Sequence, residues 1–250
     1  MRPLITKLKP SKGFSHAVYL LLNILLPVIV FALVRAGFVQ VALAVILLSK
    51  WRMFAVRPRF WIANIRTNAI DIIVGLSALA LMDGTDTMWL QGVYITAWVL
   101  WLIFIKPKHD VFWVSLQALF GQVVGLMAVF SAWDYISLLG LVAAVGFICF
   151  FAAHHFFYSF DEAHIRLLAY IWAYFGAALV WILGHWLVYY YGVVAQPALV
   201  LSAMAFSIGT LYYLDHFDKL SKLVRREILF ILITVLLVII AFSDWGDKTI

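Results

Sequence analysis

Between Lys50 and Gly75 the sequence KWRMFAVRPRFWIANIRTNAIDIIVG gathers side chains that could hold an anion. It carries five of the 18 lysine and arginine residues, then enters an apolar run interrupted by Asn64, Thr67, Asn68 and Asp71. At helical spacing Asn64, Asn68, Asp71 and Gly75 fall on one face, with Thr67 beside them. Pro58 suits the first turn of a helix, which would set Arg57 and Arg59 beside the free backbone N–H groups of a helix N-terminus. Guanidinium groups and free N–H groups together attract a phosphate, a carboxylate or an anionic lipid head-group. Arg57, Arg59, Arg66, Asn64, Asn68 and Asp71 are therefore the candidate ligand-binding residues. Asp71 is the sharpest of them, because an ionisable group inside an apolar segment is costly and faces a bundle interior or a water-filled cavity. It is expected more than two turns into its helix, partnered by Asn64, Asn68, or a cation such as Arg66 or Arg35.

A second set is made of histidines. His16, His109, His154, His155, His164 and His216 fall near predicted helix ends, close in sequence to Asp110, Asp161, Glu162, Asp215 and Asp218. Imidazole and carboxylate are the ligands of zinc and non-haem iron, and the same groups act as general acid and base. His154, His155, His164 and His216 are the candidate metal ligands on that reading. The spacing matches no H-E-x-x-H helix, and Glu162 with Arg166 forms an ordinary i, i+4 pair. No cofactor is required by the sequence; a divalent metal is the one these histidines would accommodate. His185 stands without a second histidine at its depth, which argues against a bis-histidine haem. Cys149 is the one cysteine, which rules out a disulfide within the chain and a thiolate metal cluster.

The elements that must position these groups follow from composition. Of the 250 residues 66% are hydrophobic and 12% charged, and the mean hydropathy is +1.04. Soluble domains have roughly 45–50% apolar and about 25% charged residues. Long unbroken apolar blocks, rather than alternating ten-residue segments, point to helices and not to a β-barrel. The expectation is an all-α, polytopic transmembrane bundle forming a single integral membrane domain over residues 1–250. About nine spans are expected, near 16–34, 37–53, 62–82, 88–105, 111–131, 135–155, 166–189, 193–214 and 227–243. The second is the weakest, since Gly37 to Ser49 is shorter than the ~20 residues a span needs.

Charge tests the span count. With the N-terminus cytoplasmic and the C-terminus outside, 16 of the 18 lysines and arginines fall on the cytoplasmic side, leaving Arg35 and Lys248 opposite. Omitting one span would reverse every later loop. The net charge of +6 is thus a topology signal. It does not describe a basic patch on a soluble fold, so nucleic acid is not an expected partner. The expected partners are anionic membrane lipids, and Gly121 with Gly125 forms a G-x-x-x-G that could join two copies of the chain. Trp89, Trp98, Trp101 and Trp113 fall near predicted span ends, as in interfacial aromatic belts.

Lys50 to Pro58, KWRMFAVRP, resembles the first motif, K-x6-R-P, of membrane phosphatases of the phosphatidic-acid-phosphatase type. The resemblance implies a phosphate-holding role for Lys50 and Arg57. It covers nine residues, and the later P-S-G-H and S-R-x5-H-x3-D motifs of that family do not occur, so the chain is not assigned to it. The functional expectation is transport or binding of an anionic small molecule or lipid head-group from the cytoplasmic face. The alternatives are a metal-dependent, membrane-embedded lipid-processing enzyme using the histidines, and a non-catalytic membrane scaffold. The compact loops favour the cell membrane of a bacterium as the location.

Overall fold

The computed structural model describes residues 13–132, 135–186, 190–191 and 194–242. Arg2, Lys7, Lys9, Lys12, Asp134 and Lys248 lie outside them, as do the side chains of His16 and His185. The described chain is all-α apart from a two-residue antiparallel ladder, Tyr190–Tyr191 with Val194–Ala195.

Helix α1 (Phe14–Arg35) ends where Gly37 takes φ 78°, a left-handed conformation that a Cβ would disfavour. There the Gly37 and Phe38 N–H groups donate back to the Val34 and Leu33 carbonyls at 3.0 and 2.9 Å, closing the orphaned end of the helix. The reversal starts α2 (Val39–Ser49), whose Ala42 and Ile46 are buried in the cluster that holds Val30 and Val34 of α1. Eleven residues rise only ~16 Å, about half of a bilayer's hydrocarbon core. The expected second span is thus a short helix, followed by a 3-10 turn at Trp51–Met53.

The third expected span is broken. A 3-10 turn at Pro58–Phe60 leads into α3 (Trp61–Thr67), and α4 (Ala69–Asp83) starts again after Asn68 at an angle of 66°. At the break the Asn68 side chain donates to the Asn64 carbonyl at 2.9 Å and Thr67 Oγ1 to the Ala63 carbonyl at 3.0 Å, back-bonds to the preceding turn of the kind that accompanies bent helices. Asn64, Asn68, Asp71 and Gly75 consequently do not share one helix face, and Asp71 sits in the first turn of α4 rather than more than two turns in.

Helix α5 (Met88–Leu100) runs into one π-helical turn, Trp101–Ile105. Four long helices follow, α6 (Val111–Ser131), α7 (Leu138–Tyr158), α8 (Ile165–Trp186) and α9 (Gln196–His216), and then α10 (Lys222–Phe242). Among the described residues five helices are long and apolar enough to cross a membrane, or six if the bent α3–α4 pair counts as one span. Leu22, Tyr174 and Phe230 are 58%, 77% and 70% exposed, large apolar surfaces that belong against lipid. These are the helices of a membrane protein.

Two apolar cores are joined through the α4–α6 contact. One holds α1, α2, α4 and α5 around Met82, Trp98 and Trp101; the other holds α6 to α9 around Leu126, Leu141 and Leu201. Trp98 and Trp101 are core residues, not members of an interfacial belt. A Cβ on Gly121 would lie 2.8 Å from Ile70 Cγ2, and one on Gly125 would lie 2.9 Å from Ile73 Cγ2. The G-x-x-x-G face is therefore turned to α4 of the same chain, where close backbone approach replaces the hydrophobic drive that lipid removes.

Candidate functional site

The broken third segment and the short α2 place their ends together. Lys50, the residue that closes α2, forms an ion pair with Asp71 at the start of α4. Lys106, directly after the π turn, lies 2.8 Å from the same carboxylate oxygen, Asp71 Oδ2. Trp101 Nε1, inside that turn, donates to Oδ1 at 3.4 Å, and its ring stacks on Phe120 of α6 at 5.1 Å. The Asp71 side chain is 9% exposed, Lys50 13% and Lys106 34%.

The charge balance of this group decides what it can do. One carboxylate faces two ammonium groups, so the cluster carries a net charge of about +1 in a low-dielectric setting. Each ammonium has three donors, and Asp71 takes one from each. Lys106 is the more open of the two, so an incoming anion would meet the cluster from its side. A π turn adds a residue to the helical repeat and redirects the side chains after it, and such turns recur at functional sites.

The expected ligand-binding residues divide around this centre. Asp71 is at it, but its cation partners are Lys50 and Lys106 rather than Arg66 or Arg35, and no hydrogen bond joins it to Asn64 or Asn68. Asn64 donates instead to the Met53 carbonyl at 3.1 Å, tying α3 to the 3-10 turn after α2. Arg66 is half-buried at the end of α3. Arg57 caps the Pro58 turn and is exposed, and Arg59 is exposed with its guanidinium 4.6 Å from the Phe60 ring centroid. Lys50 turns inward while Arg57 faces out, so the two residues of the phosphatase-like motif do not form one pocket.

The histidines share one end of the bundle, at the close of α7, the start of α8 and the close of α9, but they serve different contacts. His155 Nε2 lies 3.0 Å from Gln117 Oε1, and Gln117 Nε2 donates to the Ile105 and Lys108 carbonyls at 2.9 Å each. Gln117 thus satisfies the end of the π turn and fastens it to α6 and α7. His154 stacks on Tyr158, His216 packs edge-on against Phe160 at 4.9 Å, and His164 is exposed before α8. Among the described residues no three His, Cys, Asp or Glu side chains come together as a metal site would require.

Lys106 and Trp101 were not candidates on sequence grounds, and Lys50 entered only through the phosphatase-like motif. Their signal is distance from the turns. Asp71 precedes the 84–87 turn by about as many residues as Trp101 follows it, which sets both at one depth in an antiparallel pair. No protein-family model matches the chain, and no curated protein or solved structure matches it, so the reading of this site rests on its own geometry.

Proposed function

We propose that the chain is a multi-pass cell-membrane protein that binds an anionic small molecule or lipid head-group at the cluster of Lys50, Asp71 and Lys106. The observation that carries this reading is two ammonium groups on one buried carboxylate, with the uncompensated positive charge on the side of the more exposed Lys106. Arg57, Arg59 and Arg66, on the segment leading to the cluster, would raise the local concentration of an anion before it binds. The nine apolar segments of the sequence support an alternating path in which α2 and the broken α3–α4 each count once. On that path the N-terminus is cytoplasmic, the C-terminus is outside, and the cluster lies toward the cytoplasm, the side to which basic residues are sorted.

Purified protein in zwitterionic phosphatidylcholine nanodiscs, compared with discs containing phosphatidylglycerol, tests this. A ligand at about 100 times its dissociation constant adds ~2.7 kcal/mol of stability. The proposal expects a higher melting temperature with phosphatidylglycerol and a gain that shrinks as salt is raised. Equal melting in both compositions at low salt would count against it.

A further inference from the structure

Beside the second core, helices α6, α7, α8 and α9 line a cavity of about 630 Å³. That volume is within the ~300–1,000 Å³ range of ligand sites. Its walls are almost wholly apolar, including Leu116, Leu119, Phe156, Leu168 and Ile171. Apart from Tyr213 at the outer end, the polar side chains among them are hydrogen-bonded within the protein. Ser115 and Thr210 donate to the carbonyls one turn earlier, at 2.8 and 2.7 Å. Gln122 donates to the Leu201 carbonyl at 3.3 Å and accepts from Trp172 Nε1 at 2.9 Å. Tyr212 donates to Glu162. Beyond Tyr213 the cavity lacks the two to four polar partners that a buried water needs, which favours hydrocarbon as its occupant.

Depth and opening narrow the occupant further. On α6 the wall runs from Phe112, two residues into the helix, to Gln122. Ten residues rise ~15 Å, half of a ~30 Å hydrocarbon core, and so span a single leaflet. The Gln122–Trp172–Leu201 hydrogen bonds close the deep end. Ile171 of α8 and Phe206 of α9 belong to the wall yet are 58% and 59% exposed, so the cavity opens sideways between these two helices, toward lipid. Small residues keep the space clear: Ala152, Ala153, Ala205 and Gly209 stand where larger side chains would fill it.

We propose that this cavity binds one acyl chain of a phospholipid, drawn laterally between α8 and α9 from the leaflet that borders the 106–110 turn. The chain terminus lies against Gln122 and Trp172, and the glycerol end lies level with Phe112 and Tyr213. The site is separate from the Lys50–Asp71–Lys106 cluster, and neither depends on the other.

The test uses full-length protein in phosphatidylcholine liposomes doped with phosphatidylcholine carrying a diazirine on one acyl chain, with the labelled peptides mapped after photolysis. Residues 152–157, 168–172 and 205–214 are expected to take up about tenfold more label than α10, whose apolar side chains are largely exposed. Ala205→Phe, which fills the cavity, is expected to remove that excess and leave α10 labelling unchanged. Should that variant fold poorly, Gly209→Leu reads the same loss, since the Gly209 Cβ position has ordinary 3.5 Å contact with Phe156. Even labelling of cavity and α10, an excess that survives both substitutions, or labelling by a free diazirine fatty acid but not by the phospholipid would each overturn the proposal.

Discussion

Lys106 Nζ stands 2.8 Å from Asp71 Oδ2, across 35 positions of sequence. The contact joins the end of α5 to the start of α4, and with Lys50 it brings the ends of three helices to one buried carboxylate. Removing one partner of a buried pair leaves a charge without compensation, which costs far more than the pair itself contributes.

Asp71→Ala is therefore expected to destabilise the protein by about 3–5 kcal/mol, read as a lower midpoint in detergent-induced unfolding. Lys50→Met should cost more than Lys106→Met, because Lys50 is 13% exposed and Lys106, at 34%, is already partly solvated. The reverse order would show that burial does not set the strength of the two pairs.

Close helix approach gives a second expectation. Gly121→Ala places a Cβ 2.8 Å from Ile70, so the α4–α6 contact must shift, at about 1–3 kcal/mol. Gly92→Ala meets nothing within 4 Å and should be neutral or, from helix propensity, stabilising by up to about 1 kcal/mol. Thermal melts of the two variants side by side compare them directly.

Gln122 bonds to both α8 and α9. A double-mutant cycle of Gln122→Ala with Trp172→Phe should return a coupling of about 0.6 kcal/mol, and no more than about 1.7, as for other hydrogen bonds between membrane helices. Zero coupling would mean that the 2.9 Å contact adds nothing to holding α6 against α8.

The long helices were legible because uninterrupted apolar runs leave little choice: α6 starts and stops where hydropathy places it, at 111 and 131. The break at Asn68 was not. Hydropathy continues across it, and a face drawn at 3.6-residue spacing presumes an unbroken helix, whereas α3 and α4 meet at 66° there. Asp71 could be recognised because a lone carboxylate in an apolar run is conspicuous. Its pairing with Lys50 and Lys106 could not, because both sit at predicted span ends, where lysines are ordinary topology markers, and the phosphatase-like motif joined Lys50 to Arg57 instead. What distinguishes them is the short α2, which the brief apolar run from Gly37 to Ser49 signals, and the π turn, which hydropathy does not detect. The histidines were visible as a group at one end of the bundle, but sharing a level does not bring side chains within ligand distance, and packing sends His155 to Gln117 and His216 to Phe160.

Anion binding should weaken as salt rises, since the cluster is reached past exposed Arg57 and Arg59. An apparent affinity for phosphatidylglycerol that stays constant from low to high ionic strength would indicate recognition of the acyl chains instead of the head-group.

The most direct test is equilibrium binding of short-chain phosphatidylglycerol to the detergent-solubilised protein and to two single variants. Lys106→Met should weaken binding by about tenfold, the loss of one charge-assisted contact, while Lys222→Met at the start of α10 should bind as the unaltered protein does. Unchanged binding in Lys106→Met, or an equal loss in both variants, would contradict a specific site at the Lys50–Asp71–Lys106 cluster.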